Sequence, residues 1–221
     1  KGLLPILLAF YMMKYFIFAL AFLLNLSVNS SLAQIQAQPS TKINNHDGFF
    51  LRMLFGFGQT EFTEEMEYGG DFRMSGVGTE LRFQIGGCVS ENLILYGDFG
   101  GVVVMGPNIE WAGSSTSNDN SSLSISEFGG GVTYYFMPEN IYLSFSALLP
   151  MATIEFNNTK GESNIGFGLF LAAGKEWWIG EQWGLGVSLY GSYGSMKDKG
   201  DFADNAISTY SFGIAISATL N

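Results

Sequence analysis

Five ionisable side chains stand apart because apolar and small residues surround each of them: Arg52, Glu80, Arg82, Asp98 and Glu127. In "TELRFQI", residues 79–85, Glu80, Arg82 and Gln84 alternate with Leu81, Phe83 and Ile85. Successive side chains of an extended chain point to opposite faces, so this segment has one oily face and one face bearing charge of both signs. Two arginines facing three acids can neutralise one another out of water or line a proton or ion path; an ion-pair cluster that fills an interior is the reading adopted. Catalytic parts are scarce. A nucleophilic hydroxyl needs a base within hydrogen-bond reach, and the single histidine, His46, lies just before the first apolar run with no obvious partner. No enzyme and no catalytic residue is expected. No His/Cys cluster occurs, and the acidic run Glu61, Glu64, Glu65, Glu67 and Asp71 lacks the spacing of a calcium loop, so it reads as a solvated charge run. Glycine pairs such as Gly56-Phe57-Gly58 and Gly166-Phe167-Gly168 precede no helix and are not phosphate cradles. Neither a metal nor a cofactor is expected, and the lone Cys88 reads as a small packed residue.

The elements that would position these groups are strands. Runs of about 10 to 15 residues with apolar side chains at every second position recur, separated by breaks rich in Gly, Asn, Asp or Ser. Eight runs are expected, near 48–58, 73–89, 92–105, 122–137, 140–156, 164–179, 183–194 and 206–220. Their connections alternate. Tight links containing "SEN", "PEN" and "GEQ" join runs 2–3, 4–5 and 6–7, whereas long polar stretches such as "GPNIEWAGSSTSNDNSS" join the others. Short turns at one end and long loops at the other is the construction of a barrel that crosses an outer membrane, with the long loops outside.

Two barrels compete. In a soluble lipocalin-like barrel the apolar face points inward and binds a ligand; in a membrane barrel it meets lipid. The second face is mostly Gly, Ala and Ser with isolated charges, whereas a solvated surface wants about 25 to 35% charge. The whole chain of 221 residues is only 14% charged. Small residues suit the cramped interior of eight strands, which leaves room for side chains but for no wide pore. The fold expected is therefore all-β, an eight-stranded antiparallel up-and-down transmembrane β-barrel over 48–221 with a polar, plugged interior. Aromatic residues flank the tight turns: Tyr134 and Phe136 precede "MPEN", and Trp177, Trp178 and Trp183 flank "GEQ". They are expected to form a girdle at the periplasmic interface, where rings sit half in oil.

Upstream, Lys14, an apolar run from Tyr15 to Leu24 and Ser31-Leu32-Ala33 have the layout of an export signal cleaved after Ala33, with residues 1–12 upstream of a plausible start at Met13. Residues 34–47 read as a flexible leader. Removing 1–33 takes two of the ten basic residues and none of the twenty acids, leaving a net charge of about −12. Such an acidic product is a poor partner for nucleic acid, whose binding rests on Lys and Arg.

With strand count, turn asymmetry and "GKEWWIGEQWGLGVSLYG" (174–191) in view, the chain from 48 onward resembles the small outer membrane β-barrel family of the OmpX and OmpA-transmembrane-domain type. Such barrels often finish on an aromatic residue, where this chain has "ISATLN" with Leu220. The resemblance implies outer-membrane localisation by way of the export signal, with outer-membrane lipid, lipopolysaccharide and the membrane-insertion machinery as partners. It also implies an unidentified extracellular partner for the loops; the acidic run itself is expected to add at most a weak divalent-cation bridge to lipopolysaccharide. A structural or surface-interaction role is the expectation, with a narrow ion or small-solute conduit as the alternative.

Overall fold

A computed structural model describes residues 46, 48–66, 70–117, 119–156, 159–199 and 205–221. The expected signal segment 1–33 and all of the leader except His46 lie outside the described residues. Eight long strands carry the fold: β1 (Phe49–Glu64), β2 (Phe72–Ser90), β3 (Leu93–Met105), β6 (Ser121–Phe136), β7 (Ile141–Phe156), β9 (Phe167–Trp178), β10 (Trp183–Lys197) and β11 (Ala206–Leu220). Each pairs antiparallel with its neighbours in chain order. β1 also pairs with β11, from Leu51 opposite Leu220 to Glu64 opposite Ile207, which closes the sheet into a barrel. Closure leaves no free edge along the wall. Asn92 and Asn140 take positive φ in the short turns, a backbone region that asparagine tolerates better than most residues.

The long-loop end contains more strand than the sequence suggested. β1 continues to Glu64, well past the expected end near 58, and the stretch expected as a loop after β3 folds into a hairpin, β4 (Asn108–Trp111) and β5 (Ser114–Ser117). β2 starts at Phe72, beyond the reach of β3, so its exposed backbone edge at Arg73–Ser75 is taken up by β4. β8 (Thr159–Glu162) likewise pairs with the end of β7.

The faces sort as the period-two pattern requires. Val77, Ile85, Leu95, Phe99, Phe128, Leu143, Leu171, Val187, Leu189, Phe212, Ile214 and Ile216 project outward and are exposed, while Arg82 and Gln84, on either side of Phe83, are fully buried. Apolar side chains that face out of a closed barrel exclude the lipocalin-like arrangement, in which they would line the inside.

The interior is not polar throughout, which corrects the expected polar filling. Toward the long loops it holds an aliphatic and aromatic cluster that includes Phe62, Met74, Val102, Leu123, Ile125 and Met196. The outer face changes in the opposite sense over the same stretch. On β6, Phe128, Tyr134 and Phe136 face outward, but Ser122, Ser124 and Ser126 follow in those positions as Leu123 and Ile125 turn inward. On β1, Phe57 gives way to Gln59, Glu61 and Thr63. β1 and β6 thus pass from a segment with apolar residues outside to one with apolar residues inside. A membrane barrel requires the first arrangement and a barrel standing in water the second. The switch marks where the wall leaves lipid.

Candidate functional site

Beneath the aliphatic cluster, the barrel axis carries a continuous network of ion pairs and hydrogen bonds. Arg82 on β2 donates from Nε to Glu80 at 2.9 Å and from Nη1 to Asp98 of β3 at 2.9 Å, and it pairs with Glu127 of β6. All four side chains are almost entirely shielded from solvent. The guanidinium lies 3.8 Å from the centre of the Phe170 ring, an arrangement that favours a cation electrostatically. Gln84 connects two halves of the network by donating to Asp98 at 3.1 Å and accepting from Arg52 at 3.2 Å.

Arg52 is placed apart from the three acids that surround Arg82. Its carboxylate partner is Glu176 of β9, at 3.3 Å with both side chains fully buried. It also donates to Ser144 at 3.0 Å and to the Tyr135 hydroxyl at 2.5 Å, and stacks 3.9 Å from the centre of the Tyr142 ring. Glu176 further accepts hydrogen bonds from Thr219 at 2.6 Å and Tyr135 at 2.8 Å. Sequence reading passed over Glu176 because it sits inside the Trp-rich "KEWWIG". Its spacing was the available signal: counting by twos from Phe170 and Ala172 through Gly174 reaches Glu176, on the inward face.

Room for these large groups comes from glycine on neighbouring strands. A Cβ at Gly174 would lie 2.6 Å from the Tyr142 ring, and one at Gly186 would lie 2.6 Å from Cγ of Glu176. Both are closer than carbon atoms tolerate, so these glycines are voids into which an aromatic ring and a carboxyl stem fit.

At the short-turn end, His46 plugs the barrel mouth, contrary to the expectation that it has no partner. Its Nε2 lies 2.7 Å from Oδ1 of Asn140, its Nδ1 lies 2.9 Å from Oδ1 of Asn221, and its ring stacks on Tyr135 at 3.4 Å. Two amide contacts and a stacked ring hold the imidazole as a structural brace. The thiol of Cys88 bonds nearby to the backbone carbonyl of His46 at 2.9 Å.

The aromatic positions divide. Tyr134, Phe136 and Trp177 are half-exposed on the outer face near the short turns, and Lys175, also outward, bends its Nζ to the Glu139 carbonyl at 3.0 Å in the β6–β7 turn. Trp178 departs from the girdle: as the strand residue after Trp177 it must point inward, where its ring lies 5.0 Å from His46. Trp183 departs too, being 6% exposed opposite Leu220 rather than presenting a free ring.

Beyond the polarity switch, charges behave differently. Exposed Lys160 and Lys199 flank Glu162 at 2.7 and 3.3 Å, and the hydrogen bond from Lys160 holds the Glu162 carboxyl below its usual range. Glu64 points inward. Burial pushes its carboxyl pKa up; a hydrogen bond from Asn205 at 2.8 Å opposes that shift, and the charge of Asp198 adds to it. No group of three or more His, Cys, Asp or Glu side chains among the described residues is placed to hold a metal ion.

The fold and its filling define a class: a small, closed, eight-stranded barrel of the outer-membrane type with a packed axis. No protein-family model matches the chain, and no curated protein matches it. Among solved structures it is similar to Neisserial surface protein A (14% identity, 76% of this chain and 96% of that chain, TM-score 0.46). It is also similar to the outer membrane protein OprG of Pseudomonas aeruginosa (9% identity, 81% and 100%, TM-score 0.48). A third is Ail, the attachment invasion locus protein of Yersinia pestis (11% identity, 77% and 99%, TM-score 0.38).

Proposed function

We propose that this protein is an outer-membrane barrel that serves the envelope structurally and presents its long-loop end as an interaction surface outside the cell, without enzymatic chemistry. The observation that carries this reading is the opposition of faces: a belt of exposed apolar side chains surrounds an axis closed by Arg52, Arg82 and their carboxyl partners. Leu, Ile, Val and Phe facing outward over about ten residues per tilted strand match the roughly 25 Å apolar band of such barrels. Around the axis, two guanidiniums, four carboxyls and the tyrosine rings pack without leaving solvent exposed, which favours a scaffold over a conduit. In keeping with that, the Nε2 and Nδ1 of His46 face amide oxygens rather than a serine hydroxyl.

Membrane fractionation combined with gel migration before and after boiling tests the reading. The protein is expected in the outer-membrane fraction, with a compact form that shifts on heating. Planar bilayers holding the purified protein are expected to show no steady conductance. Recovery in the soluble fraction without detergent, or unitary currents abolished by Arg82→Ala, would reverse the proposal.

A further inference from the structure

Where the strands rise past the polarity switch, a cavity of about 270 Å³ opens at the long-loop mouth of the barrel. Its wall is apolar, formed chiefly by Phe62, Phe72, Ile154 and Ile207. Phe62 and Phe72 meet edge to face at 6.4 Å. Three carboxyls, Glu64, Glu162 and Asp198, also line it, and they are not equivalent. Glu162 is held by Lys160 and Lys199. Among the described residues, neither Glu64 nor Asp198 has a Lys or Arg within ion-pair distance, and Glu64 is 8% exposed with Asn205 as its hydrogen-bond partner. A nearly buried carboxyl beside a second carboxyl and an apolar wall leaves negative charge without a counter-charge, and such a site favours a cation strongly.

We propose that this vestibule binds a small amphipathic monocation, with an aryl or alkyl body against Phe62, Phe72, Ile154 and Ile207 and a single ammonium group between Glu64 and Asp198. Size follows from the volume: at about 30 Å³ per water-sized group, the cavity holds on the order of nine non-hydrogen atoms. Neither feature suffices alone. The apolar wall gives a neutral ligand no reason to prefer this place to the lipid around the barrel, and the two carboxyls would leave a hydrated inorganic cation against hydrocarbon. A ligand with both parts satisfies each surface. The site stands on the protruding part of the wall, so it does not depend on the role assigned to the barrel as a whole.

The test uses the full chain in phosphatidylcholine nanodiscs with isotopically labelled isoleucine methyl groups. Three probes matched at about nine non-hydrogen atoms each, the number the cavity holds, are titrated: 2-phenylethylammonium, 2-phenylethanol and benzoate. Ile154 and Ile207 report the cavity, and Ile214 and Ile216, outward and exposed, report partition into lipid. The ammonium probe is expected to shift the Ile154 and Ile207 methyls saturably, at a concentration at least fivefold below that of the alcohol, with no saturation by the carboxylate. Glu64→Gln or Asp198→Asn is expected to reduce that preference to less than twofold while the alcohol response stays unchanged; either variant suffices if the other fails to fold. Equal response to ammonium and alcohol, saturable binding of the carboxylate, the absence of any saturable shift at Ile154 and Ile207, or a fivefold preference surviving in every folded variant would overturn the proposal.

Discussion

Replacing Arg82 with methionine removes one guanidinium and leaves three carboxyls on the barrel axis without it. Asp98 keeps Gln84 at 3.1 Å and Ser146 at 2.5 Å, so its oxygens stay partly satisfied. Glu80 and Glu127 lose the ion pairs that held them. Removing one partner of a buried ion pair costs about 3 to 5 kcal/mol because the other charge stays behind. With two carboxyls stranded and a third weakened, Arg82→Met should cost on the order of 4 kcal/mol, or roughly a thousandfold in the folding equilibrium at about 1.4 kcal/mol per factor of ten. Reversible urea unfolding in lipid vesicles, followed by tryptophan fluorescence and gel migration, measures this directly. At a slope of about 2 kcal/mol per molar urea, the midpoint should fall by about 2 M. Arg73→Met is the internal control: its pair with Asp71 spans 3.5 Å with both side chains about half exposed, and its loss should stay within about 0.5 kcal/mol. Adding Glu80→Gln and Glu127→Gln to Arg82→Met should restore more than half of the loss, since an amide costs less to strand than a carboxylate. A loss no greater than that of Arg73→Met, or no recovery with the added amides, would refute the reasoning.

Three further outcomes are expected. Glu176→Gln should destabilise the barrel more than Glu155→Gln in the same urea assay, because Glu176 is the carboxylate partner of Arg52 whereas Glu155 is exposed at the end of β7. Gly174→Ala should cost about 1 to 3 kcal/mol by forcing Tyr142 from its place, and Tyr142→Leu in the same chain should recover part of that, read as a raised urea midpoint. Glu64 has a pKa raised on folding, so the folded state holds its proton more firmly than the unfolded chain. Its ionisation therefore opposes folding fully above the raised value, and the penalty fades as pH falls toward the unfolded value of about 4.3. Glu64→Gln should stabilise the protein near pH 8, with an advantage that shrinks on acidification; an unchanged difference across pH would contradict the assignment.

Most of the wall was legible because the information lies in period two, and a strand that crosses lipid cannot conceal that period. Strands β2, β3, β6 and β11 fall within a residue or so of their expected limits, and Leu81, Phe83 and Ile85 separate from Glu80, Arg82 and Gln84 as the alternation requires. What was missed follows from treating each run as having one polarity throughout. Gln59 and Glu61 end the apolar face of β1 and so read as loop, although Phe62 and Glu64 keep the alternation with the faces exchanged. Leu123 and Ile125 were overlooked as interior residues for the same reason. The pairing of Arg52 with Glu176 was not legible in sequence alone: it joins β1 to β9 across the axis, and only the closed register brings strands so distant in the chain face to face. Trp178 was legible but misassigned, because two adjacent strand residues cannot both lie on one girdle.

The orientation of the faces is tested most directly by two neighbouring positions on β10. In a Cys88→Ser background, spin labels are placed one at a time at Val187, outward and exposed, and at Ser188, inward and buried, in lipid nanodiscs. The Val187 label should be relaxed by oxygen, which dissolves in hydrocarbon, and barely affected by a water-soluble nickel chelate, while the Ser188 label should be immobile and shielded from both. A Val187 label relaxed by the nickel chelate, or the reverse order of oxygen access at the two sites, would mean that this face meets water and that the barrel does not span a membrane.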